Sequence, residues 1–338
     1  MGDVSLSFSV IARIGVHRGV ITGIAADPAA SRLMVTNHAD NSVSSIDTDT
    51  YTHGRTVVGT NEPFAIALAG TRAYVSTVSA AYDAIVVIDV NTGRVVGVHP
   101  VAHSVRDLAV SPDGRHVYAC RTAVHGADVA VLDTMTGRVD SIGLAAGDHG
   151  TGATTECVRV SPDGARCYVA TDGASGAELA VIDTHQQRVV GAVRIGSPIR
   201  DVALHPHGDA AYIVSCGPDS GAVLDVVDTR TNMVTGTAKI GEVSGLGTQL
   251  SVSGDGERAY LVGDESVVVL STHSHDVIGT IAVGCRPSCV MESPDGNHLY
   301  IGDYAGTVSV IAIHPADADT AAHDWTLPEL LALEPAMA

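Results

Sequence analysis

Three features of this 338-residue sequence predict an all-β, seven-bladed β-propeller with four antiparallel strands per blade. One turn motif recurs at nearly constant spacing, short alternating apolar runs fill the intervals, and no helical apolar period interrupts them. The turn is clearest at Ser111-Pro112-Asp113-Gly114, Ser161-Pro162-Asp163-Gly164 and Ser293-Pro294-Asp295-Gly296. Looser copies stand at His205-Pro206-His207-Gly208, Ser253-Gly254-Asp255-Gly256 and Ala67-Leu68-Ala69-Gly70. Four residues past each comes a tyrosine: Tyr74, Tyr118, Tyr168, Tyr212, Tyr260 and Tyr300. In the first unit Asp27-Pro28 leads to Met34 at that place. The intervals are 40, 44, 50, 44, 48 and 40 residues, which places seven units before about residue 313.

Turn chemistry divides each unit into strands. A run such as Leu108-Ala109-Val110 enters the S-P-D-G turn, where proline presets φ and glycine supplies a positive φ. A second strand follows, Arg115 to Cys120 in that unit, and then a variable connection. The third strand ends in an aspartate: Asp47, Asp89, Asp133, Asp183 or Asp228. These aspartates are expected to accept backbone N–H bonds in the turn before the fourth strand, and the tyrosines to pack between blades. The last unit lacks a fourth strand of its own. Residues 7–15 match the fourth-strand pattern, so the N-terminal strand is expected to complete the final blade and close the ring. Closure removes the open edges through which sheets aggregate.

The units resemble the YVTN-type propeller repeat of many bacterial and archaeal proteins. The signature survives as Met34-Val35-Thr36-Asn37, Tyr74-Val75-Ser76-Thr77 and Tyr168-Val169-Ala170-Thr171, with looser copies at Tyr212, Tyr260 and Tyr300. The resemblance covers roughly residues 4–313 and implies the fold. It is nearly silent on activity, because relatives include sugar lactonases, a lyase of cyclic antibiotics and haem-bearing oxidoreductase domains. Function must therefore be argued from the site.

Composition narrows the classes. The chain is 45% hydrophobic and 17% charged, with two phenylalanines and one tryptophan, a core of small and β-branched residues. A formal charge of −19 argues against nucleic acid and anionic membranes, since neutralising phosphates takes basic residues. No basic leader precedes an apolar run, and no 18-residue apolar stretch occurs, so a cytoplasmic protein is expected. Six cysteines without framework spacing read as reduced thiols.

Aligning the units on the turn predicts which residues ring the channel mouth. Five positions before it stand Thr22, Glu62, Arg106, Glu156, Arg200, Thr248 and Ser288; the next position carries Gly23, Pro63, Asp107, Cys157, Asp201, Gln249 and Cys289. Four consecutive blades thus offer Glu62, Arg106, Glu156 and Arg200. One reading is a ring of ion pairs stapling neighbouring blades. The other has Arg106 and Arg200 gripping an anionic group, assisted by Arg286, His17 and His103, with Glu62 as a further ligand. Glu156 and His149 are the candidate acid–base pair. His38 and His125 are expected on the same face. No cofactor is called for by motif, and no compact spacing defines a metal site; a divalent ion held by imidazole and carboxylate is the one candidate. Cys157 and Cys289 face either the channel or the packed core. The Gly-rich segment from Gly143 to Glu156 lacks the ending and helix of a phosphate cradle and reads as a surface or ligand-contacting loop.

Residues 1–314 are expected to form the propeller and 315–338 a tail. There Pro328 suits the first turn of a short helix, and Trp325 with its leucines offers a surface for docking or self-association. The expected function is binding of a small anionic molecule or peptide at the channel-mouth face. The alternative is a small-molecule enzyme, a lactonase or a lyase/isomerase, with a histidine–glutamate site there.

Overall fold

In the computed structural model, 28 strands form seven four-stranded antiparallel sheets. The structure describes residues 6–16, 19–27, 31–79, 81–102, 104–123, 126–144, 153–174, 176–217, 221–240 and 249–315. The innermost strands are Ile21–Asp27, Ile66–Ala69, Val105–Val110, Thr154–Val160, Ile199–Leu204, Gln249–Val252 and Pro287–Glu292, for blades one to seven. Each touches the next in this order, and the seventh touches the first, so they wall a central channel. Pro315, the first residue of the expected tail, ends the strand Thr307–Pro315, and residues 316–338 lie outside the described residues.

The seventh blade is completed as expected. Its outermost strand is Leu6–Gly15, which pairs antiparallel with Thr307–Pro315, from Leu6 opposite Pro315 to Gly15 opposite Thr307. The two ends of the ring are thereby laced by a full strand ladder.

The repeated turn explains why each blade starts alike. In blade three the Ser111 hydroxyl donates to Asp113 Oδ1 at 2.6 Å, and Ser111 Oγ accepts the His116 N–H at 2.9 Å. Gly114 closes the turn on the Ser111 carbonyl at 2.8 Å with φ of +71°, a conformation that costs a side-chain-bearing residue more. The third-strand aspartates cap the following turn: Asp133 Oδ1 accepts from the N–H of Met135 and of Thr136.

Seven apolar clusters form the core, and each straddles two neighbouring blades. The repeated tyrosines are buried in them, from 0% to 5% exposed. Tyr74, Tyr168, Tyr212 and Tyr300 reach with their hydroxyls to Thr134, Thr229, Thr272 and Thr48 of the following blade. Each blade is apolar on both faces, as blade four gives Val169 to one cluster and Tyr168 to the next, and it cannot bury either alone, so the ring stands or falls as a unit.

Candidate functional site

The channel opens into a cavity of about 600 Å³. Strand register decides which side chains face it. Ala109 pairs with Tyr118, and the residue three before Ala109 is Arg106. The same count from the residue opposite Met34, Tyr168, Tyr212 and Tyr300 gives Thr22, Glu156, Arg200 and Ser288. All five line the cavity. Thr248, the counterpart in blade six, lies outside the described residues.

Blade two departs from this count. Its first hairpin turns through Gly70 and Thr71 alone, with Ala69 paired to Arg72, two residues shorter than the S-P-D-G hairpin. Ala67 therefore faces Tyr74, and three before it stands Phe64, not Glu62. Phe64 lines the cavity and is 40% exposed. Glu62 is exposed, and its backbone N–H donates to Asn41 Oδ1 at 2.7 Å. Glu62, Ala102 and Ser104, at the entries to blades two and three, hold left-handed φ values of 39°, 69° and 62°.

The ring of mouth ion pairs does not form among the described residues; the pairing occurs one layer deeper. Asp107 accepts the N–H of Val158 at 3.1 Å, Asp201 that of Leu250 at 2.8 Å, and Gln249 Oε1 that of Val290 at 2.6 Å. Each staples its blade to the next. Blade four has Cys157 at that position and no carboxylate to offer. Arg159 takes over: Nε donates to the Val202 carbonyl at 2.8 Å, Nη1 to Asp107, and Nη2 to Asp201 at 2.5 Å. Burial disfavours the guanidinium's charge, but Asp201 and Asp107 outweigh it and hold its pKa well above the ordinary value. Arg159 was legible in the sequence. It interrupts an apolar run, Val158-Arg159-Val160, where other units read Leu108-Ala109-Val110 and Val202-Ala203-Leu204.

Arg106 and Arg200 differ from Arg159. Both are exposed at the mouth, and neither forms an ion pair among the described residues. Glu156 stands between them in blade order, half-buried. Arg286 is held elsewhere: Nη2 pairs with Asp264 at 3.0 Å, and the guanidinium stacks 4.7 Å from the ring centre of Tyr304. Tyr304, in the loop after His298–Asp303, lines the cavity and is 45% exposed. Phe64 and Tyr304 had no repeat signal to announce them, since one precedes a shortened hairpin and the other sits in a variable loop.

His17, His103, His125 and His149 lie outside the described residues. His38 sits edge-on to Phe64 at 6.4 Å between ring centres, and its buried Nδ1 has no hydrogen-bond partner among them. No three His, Cys, Asp or Glu side chains converge as a metal ligand set among the described residues. Cys157 and Cys289 are 4% and 2% exposed, and burial raises both thiol pKa values, that of Cys289 to about 12. They are packed groups, unsuited to nucleophilic work at neutral pH. All six cysteines are unpaired.

No protein-family model matches the sequence. A curated relative from Mycobacterium tuberculosis, the seven-bladed beta-propeller protein Rv1057, is 46% identical over 370 aligned residues. That alignment takes in 98% of this chain and 93% of the relative. The chain belongs to the seven-bladed β-propeller proteins. Among solved structures, Kuenenia stuttgartiensis hydrazine synthase superposes with a TM-score of 0.77 at 20% identity, over 88% of this chain and 97% of that one. At that identity the likeness concerns the propeller fold alone. No helix among the described residues is long and apolar enough to cross a membrane.

Proposed function

We propose that this propeller is a binding protein whose channel mouth takes a small anionic ligand between Arg106 and Arg200. One contrast carries the reading. Among the described residues, Arg159 and Arg286, the other arginines at or beside this cavity, are matched by carboxylates, whereas Arg106 and Arg200 stand exposed without one. In a chain of net charge −19 the overall field disfavours anions, so binding of one would rest on this local cationic arc. Planar guanidinium forks suit carboxylate or phosphate oxygens. A cavity of about 600 Å³ falls within the range typical of small-molecule pockets, roughly 300–1,000 Å³.

The test is titration calorimetry with inorganic phosphate and acetate on the wild type and on the double variant Arg106→Gln with Arg200→Gln. The expected result is anion binding weakened at least tenfold in the double variant. Equal affinities would overturn the reading. The repeat belongs, on this reading, to the YVTN type; the tetrapeptides beginning at Met34, Tyr74 and Tyr168 support that assignment.

A further inference from the structure

The two sides of the channel mouth differ in chemistry. Blades three, four and five present Arg106, Glu156 and Arg200. Across the ring, blades seven, one and two present Tyr304, Val20, Ile24, Phe64 and Ile66. Phe64 stands at the same height as the arginines by strand register, and Phe64 and Tyr304 leave 40% and 45% of their surface exposed. Phe64 is one of only two phenylalanines in the chain, and it faces solvent where a packed core would have used it. Aromatic and aliphatic surface facing a cavity wall binds carbon, because covering it releases water.

The charge on the cationic side is small. Among the described residues, two arginines and one glutamate leave one net positive charge at the mouth. Deeper, Asp107 and Asp201 against Arg159 leave one net negative charge. A dianion reaching down the channel would meet that carboxylate excess. A single negative charge held at the rim would not.

We infer that the ligand is an amphipathic monoanion, an acyl or aryl carboxylate, with its carboxylate between Arg106 and Arg200 and its carbon body against Phe64 and Tyr304. The inference rests on the anion-binding reading above and adds the apolar half. The two halves separate in a chain-length series. Acetate, butyrate, hexanoate and octanoate share one head group, and each buried methylene tightens binding about threefold to fourfold.

Calorimetry of this series on the wild type should show affinity rising with chain length. In Arg106→Gln with Arg200→Gln, every member should weaken by a similar factor of ten or more while the dependence on length stays. In Phe64→Ser with Tyr304→Ser, the length dependence should flatten while acetate affinity holds. Tyr304→Ser alone serves if the double variant fails to fold, because that side chain is exposed and its backbone N–H bond to the Arg286 carbonyl is unaffected. A wild type whose affinity is indifferent to chain length, with the arginine variant still weakening acetate, overturns this inference and leaves the anion reading standing. Length dependence that survives with no effect of the arginine variant on any member overturns both.

Discussion

The two rims of the ring are built on opposite terms. On the turn rim every carboxylate in the repeated motif is already engaged: Asp113, Asp163 and Asp295 each accept a serine hydroxyl and a backbone N–H two residues on. Those bonds hold all three below the ordinary aspartate pKa, the serine hydroxyl being the main cause. On the mouth rim the described positions carry Thr22, Phe64, Arg106, Glu156, Arg200 and Ser288, hydroxyl residues in blades seven and one but aromatic, cationic and anionic side chains in blades two to five. One rim repeats what the fold requires, and the other varies what faces the cavity. The lesson is that departures from a repeat, once its register is corrected, locate a site better than the repeat itself.

The largest test of this contrast falls on the one mouth-side arginine that behaves structurally. Replacing Arg159 with alanine strips Asp201, whose side chain is 4% exposed, of its charge partner and cuts the tie to the Val202 carbonyl. The expected loss is about 3 kcal/mol in urea unfolding, since an uncompensated buried charge remains. Burial already raises the Asp201 carboxyl, and the loss of Arg159 raises it further. A carboxyl with a raised folded pKa stabilises below its unfolded value of about 3.9 and weakens the fold as pH climbs past it. The deficit of Arg159→Ala should therefore be smaller at pH 5 than at pH 8. A variant as stable as the wild type would remove Arg159 from the structural side of this contrast.

Arg106→Gln with Arg200→Gln should do the reverse. Anion affinity is expected to fall tenfold or more, about 1.4 kcal/mol, while unfolding free energy moves by less than about 0.5 kcal/mol. A thermal melt alongside the titration checks both halves.

On the turn rim, Ser293→Ala removes the hydroxyl that Asp295 accepts and is expected to cost about 1 kcal/mol at pH 6. Asp295 is held down to about 2, first by that hydroxyl. A depressed folded pKa gives stability that is complete above the unfolded value of about 3.9 and is lost as pH falls towards 2. Wild-type unfolding midpoints should drop between pH 4 and 2, and Ser293→Ala should show a shallower drop. An equal slope would remove the serine from the account.

Glu62→Gln should have the smallest effect, less than a twofold change in anion affinity, because Phe64 occupies the register position that Glu62 holds in a naive alignment. A loss as large as that of the arginine variant would return Glu62 to the mouth.

Blade count, strand order and ring closure were legible because S-P-D-G chemistry and the tyrosine after it punctuate each unit, and the segment Leu6–Gly15 carries the pattern that the last blade lacks. Arg106, Glu156 and Arg200 followed from counting, since their hairpins are of equal length. Glu62 did not, because a two-residue turn shifts the offset while leaving the tyrosine in place. Arg159 was passed over by that count, although it stands as a charge inside an apolar alternation. The match of Arg286 to Asp264 and its stacking on Tyr304 could not be read ahead, because they join separate loops that only the packing of blades six and seven brings together.

The most direct test of the central claim, that the unpaired mouth arginines and the aromatic wall facing them form one site, is a crystal of the protein soaked with 6-bromohexanoate, located by bromine anomalous scattering. The account expects the carboxylate between Arg106 and Arg200 and the bromine against Phe64 and Tyr304. Bromine instead in the cavity of about 290 Å³ lined by Gly173, Gly176 and Glu178, with the mouth arginines untouched, would contradict it.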